Sequence, residues 1–154
     1  TLLPALEQMR QVYHSYGCSV IAVERVPENE THKYGIVEIE TLKPGVHKIT
    51  GIVEKPKAGT AKSNLAVVGR YILTPRIYKL LETVEKGAGG EIQLTDAIAK
   101  LMQEQTVLAF EFEGTRYDCG SKLGYLQANV ELGLKHPELA ESFKTYLQDV
   151  VAKL

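Results

Sequence analysis

Strand-like and helix-like segments alternate along the whole of this 154-residue chain, and this alternation constrains the fold more than any other feature. Apolar residues recur every three or four positions from Leu2 to Tyr16 and stop at Gly17, which predicts a helix with a left-handed cap. Strand patterns follow at Ser19 to Val26, Gly35 to Glu40, His47 to Glu54, Asn64 to Leu73 and Val107 to Phe112. Further helices are predicted from Thr74-Pro75, near Leu94, from Ser121 to Leu134 and from Pro137.

This order predicts a layered, Rossmann-like α/β domain with a mixed, largely parallel sheet. The length suits one compact domain, so residues 1–154 are expected to belong to a single one. The apolar run from Asn64 to Leu73 predicts a strand covered on both faces.

Charge and cysteine content exclude several classes of partner. The 18 basic and 19 acidic residues are interspersed, so we expect no binding to nucleic acid or to a membrane surface. Cys18 and Cys119 lack the spacing of a zinc site or a disulfide framework, which favours the reducing cytoplasm. The chain starts at Thr1 with neither an initiator Met nor a secretory signal, which suggests that it begins inside a longer gene product.

Two short motifs at predicted strand ends are candidates for ligand binding. Tyr34-Gly35 begins a strand, where glycine lets a ligand approach the backbone, although a plain turn glycine would give the same pattern. Glu54-Lys55-Pro56 ends a strand, and its proline should turn both charged side chains outward. Glu accepts hydrogen bonds from hydroxyl groups and Lys neutralises an anion, so this pair suits a polar ligand with a phosphate, whereas a solvated strand end is the structural alternative.

Two later segments could likewise have either a ligand-binding role or a purely structural role. The glycine loop 87–90 lacks the lysine of a P-loop, which favours a structural turn before a helix capped by Thr95 or Asp96. Asp118 precedes a helix and could bind Mg²⁺, or it could interact only with the helix dipole. Neither Cys119 nor any serine has a recognisable His partner, and the histidines are expected on the surface: His14, His32, His47 and His136.

Five segments follow one another in a fixed order: Tyr34-Gly35, Val53 to Pro56, Ser63 to Tyr71, Gly89 to Asp96 and Tyr117 to Tyr125. Taken together, they resemble the bacterial UTP:glucose-1-phosphate uridylyltransferases over essentially the whole chain. The resemblance implies the carboxyl-terminal portion of a sugar-phosphate nucleotidyltransferase domain, with the amino-terminal nucleotide-binding part absent.

The resemblance also implies roles for individual residues. Tyr34-Gly35 and Glu54 would hold glucose hydroxyls, Lys55 would contact the sugar phosphate as the catalytic cation, and Asp118 would bind Mg²⁺. The implied partners are glucose-1-phosphate and UTP, the latter mainly through the absent part, and the full-length enzyme is expected to form homo-oligomers. The 154 residues alone are expected to be inactive.

Two other interpretations remain open at this point. A relative that makes dTDP-, ADP- or GDP-sugars would need the same glycine, Glu-Lys pair and metal-binding aspartate. A non-catalytic module that binds sugar phosphates or serves in assembly would also keep these residues.

Overall fold

A computed structural model describes residues 3–87 and 90–154, and the chain divides into two compact units, Thr1–Gly114 and Thr115–Leu154. Leu2 of the predicted first helix and residues 88–89 of the predicted glycine loop lie outside the described residues. The first unit contains α1 (Ala5–Tyr16), β1 (Ser19–Arg25), a 3₁₀ helix (Glu28–Lys33), β2 (Gly35–Lys43), β3 (Val46–Glu54), β4 (Leu65–Ile72), α2 (Arg76–Leu81), α3 (Leu94–Glu104) and β5 (Val107–Glu111). The second contains α4 (Lys122–Gly133) and α5 (Ala140–Val151).

The five strands pair in the order β1-β4-β2-β3-β5 and close into a ring, so each strand has two neighbours. Among the described strands, β1 and β5 run parallel, and the other four pairs are antiparallel. The predicted α/β class and mixed sheet are confirmed, but the expectation of largely parallel pairing is wrong. The reason is local: β2 and β3 form a hairpin through the turn at Pro44 and Gly45, and β4 returns antiparallel beside β1.

Side chains alternate strictly between two cores along β1 and β5, as the period of a strand requires. Ile21 and Val23 point into a core with α2 and α3. Val20 and Ala22 point the other way and pack with Met9 and other residues of α1. Helices therefore cover the sheet on two faces, which is the predicted layered arrangement. The first helix ends as expected, with Gly17 left-handed at φ 66°.

Two predictions for the middle of the chain need correction. β4 is not covered on both faces, since Leu65 and Ala66 are buried whereas Gly69 and Arg70 are exposed. The helix predicted from Thr74-Pro75 begins at Arg76. The Thr74 hydroxyl does not cap this helix but donates to Gln105 Oε1 at 3.1 Å.

The second unit has one well-capped helix and one largely exposed helix. Ser121 caps α4 as predicted, because its Oγ accepts a hydrogen bond from Gly124 N at 3.0 Å. α5 begins at Ala140 rather than at Pro137. Every residue of α5 is described and none is buried, although Phe143 and Leu147, four positions apart on the helix, are half-buried. In the described part of the chain, no helix has the length and apolar character that crossing a bilayer requires.

Candidate functional site

The β2–β3 hairpin brings four predicted site residues together at one end. Gly35, the first residue of β2, pairs with Glu54, the last residue of β3. One step further out, Lys55 N donates a hydrogen bond to Tyr34 O at 3.0 Å. We call this group of Tyr34, Gly35, Glu54 and Lys55 the hairpin-end site. Strand pairing alone makes these residues neighbours, so their proximity follows from the fold.

Gly35 is needed at this site because of close packing. The residue is buried, and a Cβ atom built on it would lie 3.0 Å from Glu54 Oε2 and 3.7 Å from Val67 Cγ2. The first distance is shorter than carbon and oxygen atoms normally approach, so a side chain here would displace the carboxylate. Glycine therefore leaves room for the Glu54 carboxylate beside the β2 backbone.

Glu54 is half-buried, and its carboxylate is held from a helix. Thr95 Oγ1 donates a hydrogen bond of 2.7 Å to Glu54 Oε2. Burial raises the pKa of Tyr71 above its ordinary value, and the negative charge of Glu54 raises it further. This effect places the Tyr71 phenol within electrostatic range of the carboxylate. The prediction that Glu54 turns outward is therefore wrong, because Thr95 draws its carboxylate towards α3.

Thr95 was not predicted as a site residue, and the cap predicted for Thr95 or Asp96 is wrong. α3 begins at Leu94 with Gln93 in the cap position, and no side chain caps it. Thr95 is thus the second residue of the helix, and its hydroxyl is available for Glu54. No sequence pattern joins two residues 41 positions apart, so only the packing of α3 beside β3 reveals this contact.

Lys55 has an exposed side chain and an unusual backbone conformation. Its φ is +43°, in the left-handed region that lysine seldom adopts. Such a residue typically costs about 1–3 kcal/mol and persists where surrounding contacts hold it. The hydrogen bond from Lys55 N to Tyr34 O and the buried Pro56 that follows are such contacts. The lysine side chain turns outward as predicted, directly after Glu54.

Asp118 lies in the second unit, in the turn before α4. The residue is exposed, and its Oδ1 accepts a hydrogen bond from Gly120 N at 3.0 Å. Its carbonyl oxygen accepts from Ser121 N, and a Cβ on Gly124 would collide with that same oxygen. Asp118 precedes the cap residue of α4, and the first turn of that helix contains no acidic residue. Asp118 therefore lies ahead of the first helical turn, and an interaction of its carboxylate with the helix dipole stays the structural alternative to metal binding.

Asp118 can supply one oxygen ligand to a metal. Within residues 3–87 and 90–154, no group of three or more His, Cys, Asp or Glu side chains is placed to hold a metal ion. Mg²⁺ nevertheless commonly takes one or two carboxylates and completes its shell with water and substrate phosphates. With Oδ1 engaged in the turn, Oδ2 is the candidate ligand atom.

His47 contradicts the prediction that the histidines lie on the surface, since only 4% of the residue is exposed. Its Nδ1 lies 3.1 Å from Thr41 Oγ1, and its Nε2 lies 2.9 Å from Glu111 Oε1. Arg25 Nη2 donates to the same Glu111 oxygen at 3.0 Å. This cluster joins the ends of four strands but lies at the opposite end of β3 from Glu54. It therefore does not belong to the hairpin-end site.

Residues 3–134 match the nucleotidyl transferase family, and the chain belongs to this family. Among curated proteins, the chain is similar to bacterial UTP–glucose-1-phosphate uridylyltransferases, including those of Staphylococcus epidermidis and Bacillus subtilis. It is 47% identical to the Staphylococcus epidermidis protein over 147 residues, which are 96% of this chain and 51% of the relative. It is 45% identical to the Bacillus subtilis protein over 150 residues, which are 97% of this chain and 51% of the relative. The chain thus spans about half the length of the curated relatives it matches.

Solved structures show the same similarity. A UDP-glucose pyrophosphorylase complexed with UDP-glucose matches with a TM-score of 0.81 and 44% identity, over 86% of this chain and 50% of that one. A UTP-bound UGPase from Acinetobacter baumannii matches with a TM-score of 0.79 and 45% identity, over 92% of this chain and 48% of that one. A Bacillus anthracis protein described as a putative glucose-1-phosphate thymidylyltransferase, 22% identical with a TM-score of 0.64, shares the fold.

Proposed function

We propose that this chain supplies the sugar-phosphate side of an enzyme that transfers a uridylyl group from UTP to glucose-1-phosphate, giving UDP-glucose and pyrophosphate. The observation that carries the proposal is the hairpin-end site, where a held carboxylate and an exposed lysine follow one another beside a buried glycine. Relatives named for this activity, at 45% and 47% identity, support uridylyl transfer over the transfer of another nucleotide.

The proposed sugar contacts come from Gly35 and Glu54. A carboxylate accepts hydrogen bonds from hydroxyl groups, and bonds to a charged acceptor are roughly twice as strong as neutral ones. Gly35 adds no side chain of its own between its backbone and a ligand, and the side chains of Glu54, Val67 and Thr95 lie within 4 Å of the space that its Cβ would fill. Tyr34 joins the site through its carbonyl oxygen, which fixes the backbone of Lys55.

Lys55 is proposed to contact the phosphate of the sugar and act as the catalytic cation. The attacking phosphate oxygen is already ionised, so the reaction needs no general base. The difficulty is to bring two polyanions together. Two unit charges about 4 Å apart repel each other by roughly 4 kcal/mol at an effective dielectric constant of about 20. The exposed ammonium next to Glu54 would offset part of this repulsion.

Asp118 is proposed to provide one ligand for Mg²⁺, and its exposed carboxylate fits that role. A bound magnesium ion neutralises charge on the phosphates of both substrates. Asp118 does not need to form a complete cage, because the phosphates themselves are ligands.

The remaining parts of the proposal concern the whole protein. We propose that residues 1–154 form the carboxyl-terminal portion of a single nucleotidyltransferase domain and that UTP binds mainly through another part of that domain. Activity would then require both parts, and the chain alone would be inactive. A homo-oligomeric enzyme in the cytoplasm fits the same proposal, and both cysteines of this chain are free thiols.

Titration calorimetry of this chain with glucose-1-phosphate, and with UTP as the comparison ligand, tests the proposal. We expect glucose-1-phosphate to bind and UTP to bind far more weakly. Lys55→Ala should weaken the binding of glucose-1-phosphate, while Lys57→Ala should not. Lys57 is also an exposed lysine, two positions away, and therefore controls for general charge attraction. If glucose-1-phosphate shows no heat of binding, or if both lysine variants lose affinity equally, the assignment of the site is refuted.

A further inference from the structure

We infer that Thr95 is a positioning residue that sets which oxygen of Glu54 faces the sugar. This inference rests on the proposed function of the hairpin-end site. Thr95 Oγ1 donates to Glu54 Oε2 at 2.7 Å, which is a short bond to a charged acceptor. With Oε2 engaged by the protein, Oε1 is presented to a sugar hydroxyl.

Packing on the other side of the carboxylate supports the same orientation. A Cβ atom on Gly35 would lie 3.0 Å from Glu54 Oε2 and 3.8 Å from Thr95 Oγ1. The bond between Thr95 and Glu54 therefore lies directly beside the β2 backbone. Gly35 leaves the space for that bond, and Thr95 fixes the carboxylate within it.

Positioning of this kind matters because Glu54 ends its strand. The next residue has a left-handed backbone and an exposed side chain. A glutamate side chain has three rotatable bonds, and ordering them during ligand binding costs free energy. A carboxylate already held by α3 does not incur that cost when the sugar arrives.

Specificity follows from the same geometry. A fixed acceptor discriminates against a ligand that lacks the matching hydroxyl, because the half-buried acceptor oxygen is then left without a partner from the sugar. A mobile acceptor can turn away and find water. Thr95 is therefore expected to affect the discrimination between glucose-1-phosphate and its monodeoxy analogues as well as affinity.

Four variants of the chain separate positioning from a merely structural role. Thr95→Val removes the hydroxyl at nearly constant volume, and Thr95→Ser keeps it. Thr74→Val is the matched control, since Thr74 is also half-buried and also donates to a side-chain oxygen, that of Gln105. Glu54→Gln completes a double-mutant cycle with Thr95→Val. Circular dichroism and the urea midpoint verify that each variant is folded.

Carbon-13 NMR of the ligand-free chain provides the first measurement. The Glu54 Cδ resonance and side-chain couplings should shift in Thr95→Val, stay close to wild type in Thr95→Ser and stay unchanged in Thr74→Val. An unshifted Glu54 signal in folded Thr95→Val would overturn the inference. This measurement needs no ligand, so it decides the role of Thr95 even if the chain fails to bind glucose-1-phosphate.

Calorimetry with glucose-1-phosphate and its monodeoxy analogues provides the second measurement. Thr95→Val should weaken glucose-1-phosphate binding by about tenfold, the order expected for one hydrogen bond to a charged group. It should also reduce the ratio between the affinities for glucose-1-phosphate and for one deoxy analogue. Thr95→Ser should retain both the wild-type affinity and the wild-type ratio. Adding Thr95→Val to Glu54→Gln should cause little further loss. Equal losses with every analogue, or full additivity in the double variant, would refute a role through Glu54. Failure of the wild-type chain to bind would count against the proposed function instead.

Discussion

A methyl group added at position 35 gives the sharpest test of the packing in the hairpin-end site. The new Cβ of Gly35→Ala would lie 3.0 Å from Glu54 Oε2, a few tenths of an ångström closer than ordinary contact. Glu54 cannot yield freely, since its carboxylate is bonded to Thr95 at 2.7 Å. Overpacking of this kind costs typically about 1–3 kcal/mol. The φ of Gly35 is not in the left-handed region, so alanine also stabilises by about 0.4–1 kcal/mol through the unfolded state.

The net expectation for Gly35→Ala is a loss of stability of roughly 1 kcal/mol, together with a larger relative loss of sugar-phosphate binding because Glu54 is displaced. Urea unfolding followed by circular dichroism measures the first effect, and calorimetry measures the second. Gly51→Ala is the matched control within the same hairpin. Its Cβ would meet the side chain of Glu38 at 3.2 Å, and that half-exposed side chain, held by an exposed ion pair with Lys62, can move aside. Wild-type stability and binding in Gly35→Ala would refute the packing argument.

Four further predictions concern single residues. Lys55→Gly should be more stable than Lys55→Ala by about 1 kcal/mol, because only glycine relieves the backbone at φ +43°; equal urea midpoints would contradict this. Asp118→Asn should weaken Mg²⁺ binding in the presence of sugar phosphate, measured by calorimetry with MgCl₂, while the fold stays intact; unchanged Mg²⁺ affinity would remove Asp118 as a ligand. Glu54→Gln should lower the pKa of Tyr71 without restoring its ordinary value, since burial is the larger cause of the increase. The folded-state pKa of Tyr71 is raised, so the contribution of Tyr71 to stability is complete below the ordinary tyrosine pKa. That contribution declines as the pH rises through the folded-state pKa. Tyr71→Phe should therefore reduce the loss of stability in alkali.

Local sequence signals placed Tyr34-Gly35 and Glu54-Lys55 at strand ends as candidates for ligand binding, and their roles stay predictions. Pro44 and Gly45 form the turn that sets the β2–β3 register, and this register places Gly35 opposite Glu54. The alternation of strand-like and helix-like segments along the chain likewise indicated a layered α/β domain. Such features depend on residues near in sequence, whose geometry is dictated by backbone sterics and side-chain period.

Contacts between distant segments could not be predicted in this way. Thr95 had the pattern of a helix cap, and only the packing of α3 beside β3 directs its hydroxyl to Glu54. His47 was expected on the surface as a polar residue at the start of a strand. Thr41 and Glu111 contact its two ring nitrogens, and these contacts allow its burial. The apolar run in β4 suggested full burial, and the exposed half of that strand shows that hydrophobicity alone does not determine what covers a strand.

The parallel pair in the sheet has a consequence for biosynthesis. Ser19 in β1 pairs with Val107 in β5, although the two residues lie near the beginning and the end of the first unit in sequence. β5 also pairs with β3. Until β5 has emerged from the ribosome, β1 and β3 each have one unpaired hydrogen-bonding edge. Pairing β1 with β5 also closes the long loop of chain between them, which is slow. Nascent chains that stall before residue 107 should therefore be the species most dependent on chaperones, since open strand edges recruit other chains.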